Sequence, residues 1–213
     1  AGYPGEIPTV TDTIVDVTTV GARCDGSTDD RAAIQAAIDG ASGSTAVVLP
    51  TGTCRIGGRL VFASGVVLRG QGSESTTLLC ASSDGCLLAR GTTTEDYVSI
   101  TDGLDQGTTT ITVADPSGLT VGSGAAIRQE EYVPAEQEWG EYNVGQMVRI
   151  EAITANDVTI SPPLHITLSA SHSPEICPVR FVEQVGVEDL TLRREHSSGG
   201  YGANIAFRRA RDS

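Results

Sequence analysis

The chain has 213 residues, with 14 Lys+Arg against 27 Asp+Glu and a formal charge of -13, which bounds it at one or two acidic domains. Every basic residue is arginine, which removes lysine-base, Schiff-base and P-loop chemistry, and the acidic balance lacks the basic stripe that a nucleic acid demands. Hydrophobic residues make up 39% and aromatics only 4%, so the core must be layered from Val, Ile, Leu and Ala, and no apolar run approaches the roughly 18 residues of a membrane span.

In chain order, Ala1-Gly2-Tyr3-Pro4 shows neither a charged n-region nor an apolar h-region, so a signal peptide is expected to be absent or already removed. The first periodic segment predicts a helix over residues 27–40. Ser27 or Thr28 serves as its N-cap, Asp29 and Asp30 suit the positive end of the dipole, and Gly40 suits its stop. Ile34, Ala37, Ile38 and Ala41 share one face, which calls for burial against a flat surface such as the end of a stack. Beyond the helix the pattern changes to short runs at 46–50, 53–56, 60–62, 65–70 and 77–80, each punctuated by Gly or Pro. Such spacing suits a sandwich, but several runs are continuously apolar, as strands covered on both sides are. A solenoid wound in coils of about 20–25 residues fits better.

Cys24, Cys54, Cys80, Cys86 and Cys177 form an odd set without a C-x-x-C pair, which argues against zinc. Ser82-Ser83-Asp84-Gly85 is a turn sequence. It brings Cys80 and Cys86 within reach of a bridge, or else both are small buried residues of a ladder. From about residue 97 the pattern changes again. Residues 107–113 alternate with period two, 119–127 follow a turn, and 147–153 and 158–160 read as further strands around a turn at Asn156-Asp157. This predicts an organisation of solenoid opening, helix and first coils at 1–97, an inserted antiparallel β module at 98–175, and continuing coils at 176–213.

Three segments carry a family resemblance. They are Val17-Thr18-Thr19-Val20-Gly21-Ala22-Arg23-Cys24-Asp25-Gly26-Ser27-Thr28-Asp29-Asp30, then Ala33-Ile34-Gln35-Ala36-Ala37-Ile38, then Val48-Leu49-Pro50-Thr51-Gly52-Thr53-Cys54-Arg55-Ile56. With Gly65-Val66-Val67-Leu68-Arg69-Gly70-Gln71-Gly72, Val185-Gly186-Val187-Glu188-Asp189-Leu190-Thr191-Leu192 and Asn204-Ile205-Ala206-Phe207, the chain resembles the pectate-lyase-like superfamily. Cys54 departs from it, at a place where relatives often look aromatic. The resemblance implies an all-β fold: a right-handed parallel β-helix with an N-terminal capping helix and an inserted small antiparallel β module. It implies an extracellular or cell-surface protein whose activity sits on the outer face of the middle coils. There, Asp ligands hold calcium beside an Arg or Lys base in lyases, and paired carboxylates act in hydrolases. Fold analogy alone does not choose among these.

The polygalacturonase residues (Asn-Thr-Asp, Asp-Asp on a coil strand, Gly-His-Gly, Arg-Ile-Lys) do not occur here, and Asp29-Asp30 lies at the helix start. Glu188, Asp189, Arg193 and Arg194, with Glu195 and His196, form the one cluster of lyase-suited types near a coil strand, against which stands the plainer reading of solvated strand-end charge. In the insertion, Trp139, Tyr142, Glu138 and Glu141, with Gln129, Glu130, Glu131, Tyr132 and Glu136, make a sugar-stacking platform with a hydrogen-bonding rim, or a packed loop. His165, His172 and His196 lack metal-ligand spacing. The sequence thus predicts a polysaccharide-binding or polysaccharide-acting protein, the N-terminal part of a lyase or glycosidase. Its alternative is a non-catalytic, tailspike-like or filament-forming β-helix. Room for only about four coils remains, and the end at 208–213 shows no polar cap. Further chain or another subunit is therefore expected to follow, and identical copies stacking head to tail would give a filament.

Overall fold

The computed structural model describes residues 10, 13–130, 144–195 and 203–211. It forms two compact units, Thr92–Arg180 and the segments on either side of it. In the flanking unit the first coil holds β1 (Thr13–Asp16), β2 (Asp25–Asp29) and helix α1 (Arg31–Asp39). The second holds β3 (Thr45–Val48), β4 (Gly52–Ile56) and β5 (Leu60–Phe62), and the third β6 (Val66–Arg69), β7 (Thr76–Cys80) and β8 (Leu87–Arg90). Like strands stack in parallel and in register, Val47 on Leu68, Cys54 on Leu78, Leu60 on Leu87. Their side chains form the buried interior, closed by Val17, Ile34 and Ile38. The β3–β6 pair is apolar on both faces, because Ala46 and Val67 turn outward and lie under Val10. That is why those two runs read as continuously hydrophobic.

Helix α1 takes the place that a third strand occupies in the next two coils. Ile34 and Ile38 are fully buried, and the side-chain amide of Gln35 completes the edge of β5. Its Nε2 donates to Val61 O at 2.8 Å, and its Oε1 accepts from Val61 N at 2.9 Å. A side chain thus supplies the pairing that an absent strand would give, and the edge is protected. The helix begins later than the sequence predicts. Ser27 and Thr28 belong to β2, and their hydroxyls and amides donate to the Asp25 carboxylate. Those four bonds, the Thr28 amide first, hold Asp25 far below the usual carboxylate range. Asp30 precedes the helix without capping it, since its buried carboxylate accepts from the amides of Arg23 and Cys24 at 2.7 and 2.9 Å.

The coil turns rest on close backbone approach. Gly65 has φ +83°, and a Cβ there would meet Gly43 O at 2.2 Å. Two disulfides, Cys24–Cys54 and Cys80–Cys86, tie the turns, so both the Cys54 departure and the Cys80/Cys86 alternative resolve as bridges.

The second unit is antiparallel, with β9 (Thr92–Thr93), β10 (Val98–Asp102), β11 (Thr110–Val113), β12 (Gly124–Gln129), β13 (Val144–Thr154), β14 (Asp157–Ser161) and β15 (Glu175–Arg180). The order β10-β11-β14-β13-β12-β15 closes, because β10 also pairs with β15. Six strands therefore form a small barrel around Ile111, Ile127, Ile150, Val158, Ile160 and Ile176, and closure leaves no open edge among them. The run predicted at 119–127 becomes a strand only at Gly124. The hairpin loop is Ala155-Asn156, one residue earlier than predicted, with Thr154 facing Asp157, Ala155 at φ 51° and the Asn156 amide donating to Val113 O and Ala114 O.

The chain then returns to the first unit through β16 (Val182–Glu183), β17 (Gly186–Glu188), β18 (Thr191–Arg194), β19 (Ile205–Arg208) and β20 (Ala210–Arg211). β17, β18 and β19 extend the three stacks on β6, β7 and β8, and β16 pairs with β20. Among the described residues no helix is long and apolar enough to cross a membrane.

Candidate functional site

In the β-helix unit an open groove of ≈ 600 Å³ runs between the turn after β4 and the turn after β7, with the first residue of α1 at its side. Asp29 holds one wall in place. Its carboxylate accepts from the Gly57 amide at 2.9 Å and the Arg31 amide at 3.1 Å, fastening the turn to the helix start. The Gly57 bond above all holds this carboxyl below its usual range. Gly57 must lack a Cβ, which would stand 2.4 Å from Asp29 Oδ2. The Arg31 side chain lies across Gly58, where a Cβ would come within 2.8 Å of its Cδ and Nε, and its Nε donates to Arg59 O at 3.0 Å. Arg59 is half-buried and, among the described residues, makes no side-chain hydrogen bond or ion pair. The opposite wall is Ser82, Ser83 and Asp84, inside the loop closed by the Cys80–Cys86 disulfide. Arg194 Nη2 holds that wall by donating to Ser82 O at 3.0 Å and Ser83 O at 3.1 Å. Two guanidinium groups facing hydroxyls, one carboxylate and glycine backbone are equipped to bind a polar, oxygen-rich ligand.

The sequence pattern contained both turns, but not their juxtaposition. The stacking that sets Thr53 opposite Thr77 and Arg55 opposite Leu79 carries the Gly-Gly-Arg turn beside the Ser-Ser-Asp turn. A coil length of 20–25 residues, applied turn by turn, is the signal that would have found the groove.

The proposed catalytic cluster is spread over several surroundings. Glu188 ends β17 opposite Arg69 of β6 and is paired with its guanidinium, which also donates to Val10 O at 2.8 Å. Asp189 lies beyond the strand, in a turn at φ 53°, where its carbonyl accepts from the Gly72 amide at 2.9 Å. Arg193 is exposed on β18, two strands from Arg55 along the same outward row, and Arg55 is bonded to Glu195 at 3.1 Å. Arg194 is taken up by the groove wall. Glu188 therefore meets a guanidinium, and it would have to leave that ion pair before acting as a base. Trp139, Tyr142, Glu138 and Glu141, with Glu131, Tyr132 and Glu136, lie outside the described residues, as does His196. Gln129 and Glu130 are described. The Gln129 Oε1 accepts from Ser169 N at 2.8 Å, and the Glu130 amide donates to His172 O at 2.8 Å.

For the calcium that the resemblance implies, the donors do not fit. Among the described residues the one group of three metal-ligating side chains is Cys24, Asp30 and Cys54. Its sulfurs form a disulfide, and its carboxylate is occupied by two amides, whereas calcium takes six or more oxygens.

With this architecture described, the comparisons with known proteins can be read. The family model for rhamnogalacturonase A/epimerase, pectate lyase-like proteins matches residues 14–209. The chain belongs to that family. The resemblance carried by residues 17–56 and 185–192 is therefore upheld, and so is the parallel β-helix. No curated protein matches the chain. Among solved structures, this rhamnogalacturonase A/epimerase, pectate lyase-like chain is similar to the tailspike gp61 of Pseudomonas phage phi297. That pair is 19% identical at a TM-score of 0.67, covering 92% of this chain and 36% of the tailspike. It is also similar to the Gp54 tailspike of Acinetobacter baumannii bacteriophage AP22, solved in complex with A. baumannii capsular saccharide. Here the identity is 13%, the TM-score 0.64, and the coverage 92% of this chain and 35% of that one. The tailspike gp49 of Pseudomonas phage LKA1 matches at 18% identity and a TM-score of 0.60, over 81% of this chain and 34% of its own. These likenesses carry the fold, and the chain spans about a third of the length of each tailspike.

Proposed function

We propose that the chain is the opening portion of an extracellular or surface-borne β-helix protein that binds a polysaccharide, and that this portion contributes binding rather than bond cleavage. The observation that carries the reading is the family match over nearly the whole chain, 14–209, on a capped parallel β-helix. A tailspike of the same fold in complex with a capsular saccharide supports the class of ligand. Two disulfides support an oxidising compartment. Binding without cleavage is supported by the pairing of Glu188 with Arg69, Glu195 with Arg55 and Glu183 with Arg211, which leaves these carboxylates bonded to guanidinium groups. Glu188 and Arg193 then act in glycan contact on the coil face, with Asp189 at the following turn and Arg194 at the groove wall, and Trp139, Tyr142, Glu138 and Glu141 supply a second contact through ring stacking and hydrogen bonding.

Calorimetric titration with a panel of acidic and neutral polysaccharides tests binding, and assays for unsaturated-uronate absorbance and reducing ends test cleavage. Binding without product is expected, with weaker retention by Trp139→Ala. Turnover by the protein would instead establish the lyase or glycosidase reading, and absence of binding to any glycan would remove the function. Head-to-tail association of identical copies belongs to the structural alternative, which filaments in electron micrographs together with no glycan binding would establish.

A further inference from the structure

We propose that the groove between the turn after β4 and the turn after β7 is a binding site for a carboxylate-bearing sugar residue, gripped by Arg31 and Arg59. The inference rests on the polysaccharide reading above and assigns it a place and a charge. The chain carries a formal charge of -13, yet two guanidinium groups line one groove. Five other arginines, Arg55, Arg69, Arg128, Arg149 and Arg211, sit against glutamates. Arg59 has no such partner among the described residues, and Arg31 spends only its Nε, on the Arg59 carbonyl. That bond fixes the plane of Arg31 beside the Arg59 backbone and leaves the terminal nitrogens of both side chains for a ligand.

Among the described residues the carboxylates nearby form no ion pair with either guanidinium, although Asp29 attracts Arg31 through space. Asp29 is turned to the amides of Gly57 and Arg31, and Asp84 accepts from Ser83 Oγ at 3.3 Å. A planar carboxylate that accepts parallel N–H bonds from a guanidinium fork is the natural complement of an arginine without an ion-pair partner. The rest of the lining narrows the ligand. Ser82, Ser83 and Asp84 offer hydroxyl and carboxylate groups suited to sugar hydroxyls, and Gly57 and Gly58 offer bare backbone. Among the described residues no aromatic side chain lines the groove. At ≈ 600 Å³ it falls within the usual range for small-ligand sites, enough for one or two sugar rings. Both walls are held in place, one by Asp29 and the other by Arg194 and the Cys80–Cys86 bridge.

The test titrates the protein with oligogalacturonate, with its methyl ester and with glucose 6-phosphate, for wild type, Arg59→Gln and Gly58→Ala. Wild type is expected to prefer the acid over the ester by about tenfold, the value of one good charge-assisted bond. Arg59→Gln is expected to abolish that preference at an unchanged melting temperature. Gly58→Ala, whose new methyl displaces the Arg31 side chain, is expected to reduce it. Equal binding of acid and ester by wild type overturns the site, as does a preference that survives in Arg59→Gln. Binding of glucose 6-phosphate as tight as that of the acid overturns the carboxylate assignment. A protein that binds neutral glycans with no charge preference refutes only this inference, whereas one that binds no glycan refutes the polysaccharide reading with it.

Discussion

The substitution Gln35→Ala probes how the helix closes the coil stack. In wild type the Gln35 amide both donates to and accepts from the backbone of Val61, and its Nε2 also meets Asp39 Oδ1 at 2.8 Å. Leu60, one residue earlier, points its amide the other way, to Cys86 O at 2.8 Å, so the polar groups of Val61 have Gln35 as their partner at this edge. Each such bond contributes about 0.5–1.5 kcal/mol net, and water reaches the half-exposed site, so losing both should cost about 1–2 kcal/mol. For a chain of this size that lowers the melting temperature by about 2–8 °C. The Val61 amide should also exchange faster with solvent, while amides inside the stack, such as Leu78, keep their protection. Gln35→Glu keeps the acceptor but sets a carboxylate against Val61 O and one helical turn from Asp39, so at neutral pH it should cost at least as much as alanine. Acidification below the usual glutamate range restores a donor and should recover part of the loss. Unchanged melting together with unchanged exchange at Val61 in Gln35→Ala would refute the idea that a side chain completes this edge.

Other expectations follow from single contacts. Gly70→Ala places a methyl 2.1 Å from Asp189 O and 2.9 Å from both Leu190 Cβ and Thr76 Cβ, and should destabilise by about 3 kcal/mol or more in urea unfolding. Asp29 has a folded-state carboxyl below its ordinary value of 3.8, so its contribution is complete above that pH and fades as pH falls through the lower folded value. The stability gap between wild type and Asp29→Asn should accordingly be constant from pH 7 to 5 and shrink towards pH 2. By loop closure, removing Cys24–Cys54, with a separation of 30, should cost about 3–4 kcal/mol and removing Cys80–Cys86, with a separation of 6, about 2–2.5 kcal/mol. Mass spectrometry after alkylation should find no label on the native protein and one on the unreduced, unfolded protein, at Cys177, since that residue is buried.

Much of this architecture was legible in local chemistry. An amphipathic stripe of Ile34 and Ile38, apolar runs cut by Gly and Pro, and the motif from Val17 to Ile56 lead to a capped parallel β-helix, because coil strands carry their burial pattern in themselves. The antiparallel insertion was legible for the same reason, in the alternation of residues 107–113. Other features depend on which partner takes each polar group, near in sequence or far. Ser27 and Thr28 look like helix caps until Asp25 takes their hydroxyls, and Asp30 looks like a dipole partner until its carboxylate holds the Arg23 and Cys24 amides. Closure of the barrel needs β10 to meet β15, some 75 residues onward, which no local pattern encodes. The Glu188 and Arg193 cluster is contiguous in sequence, yet stacking gives each charge a different neighbour, Arg69 for one and the outward row of Arg55 for the other. The groove shows the converse, for Arg31, Arg59 and Asp84 lie far apart along the chain and meet because the coils stack in register. Periodicity sets which face a residue takes, while register between coils decides which charges share that face.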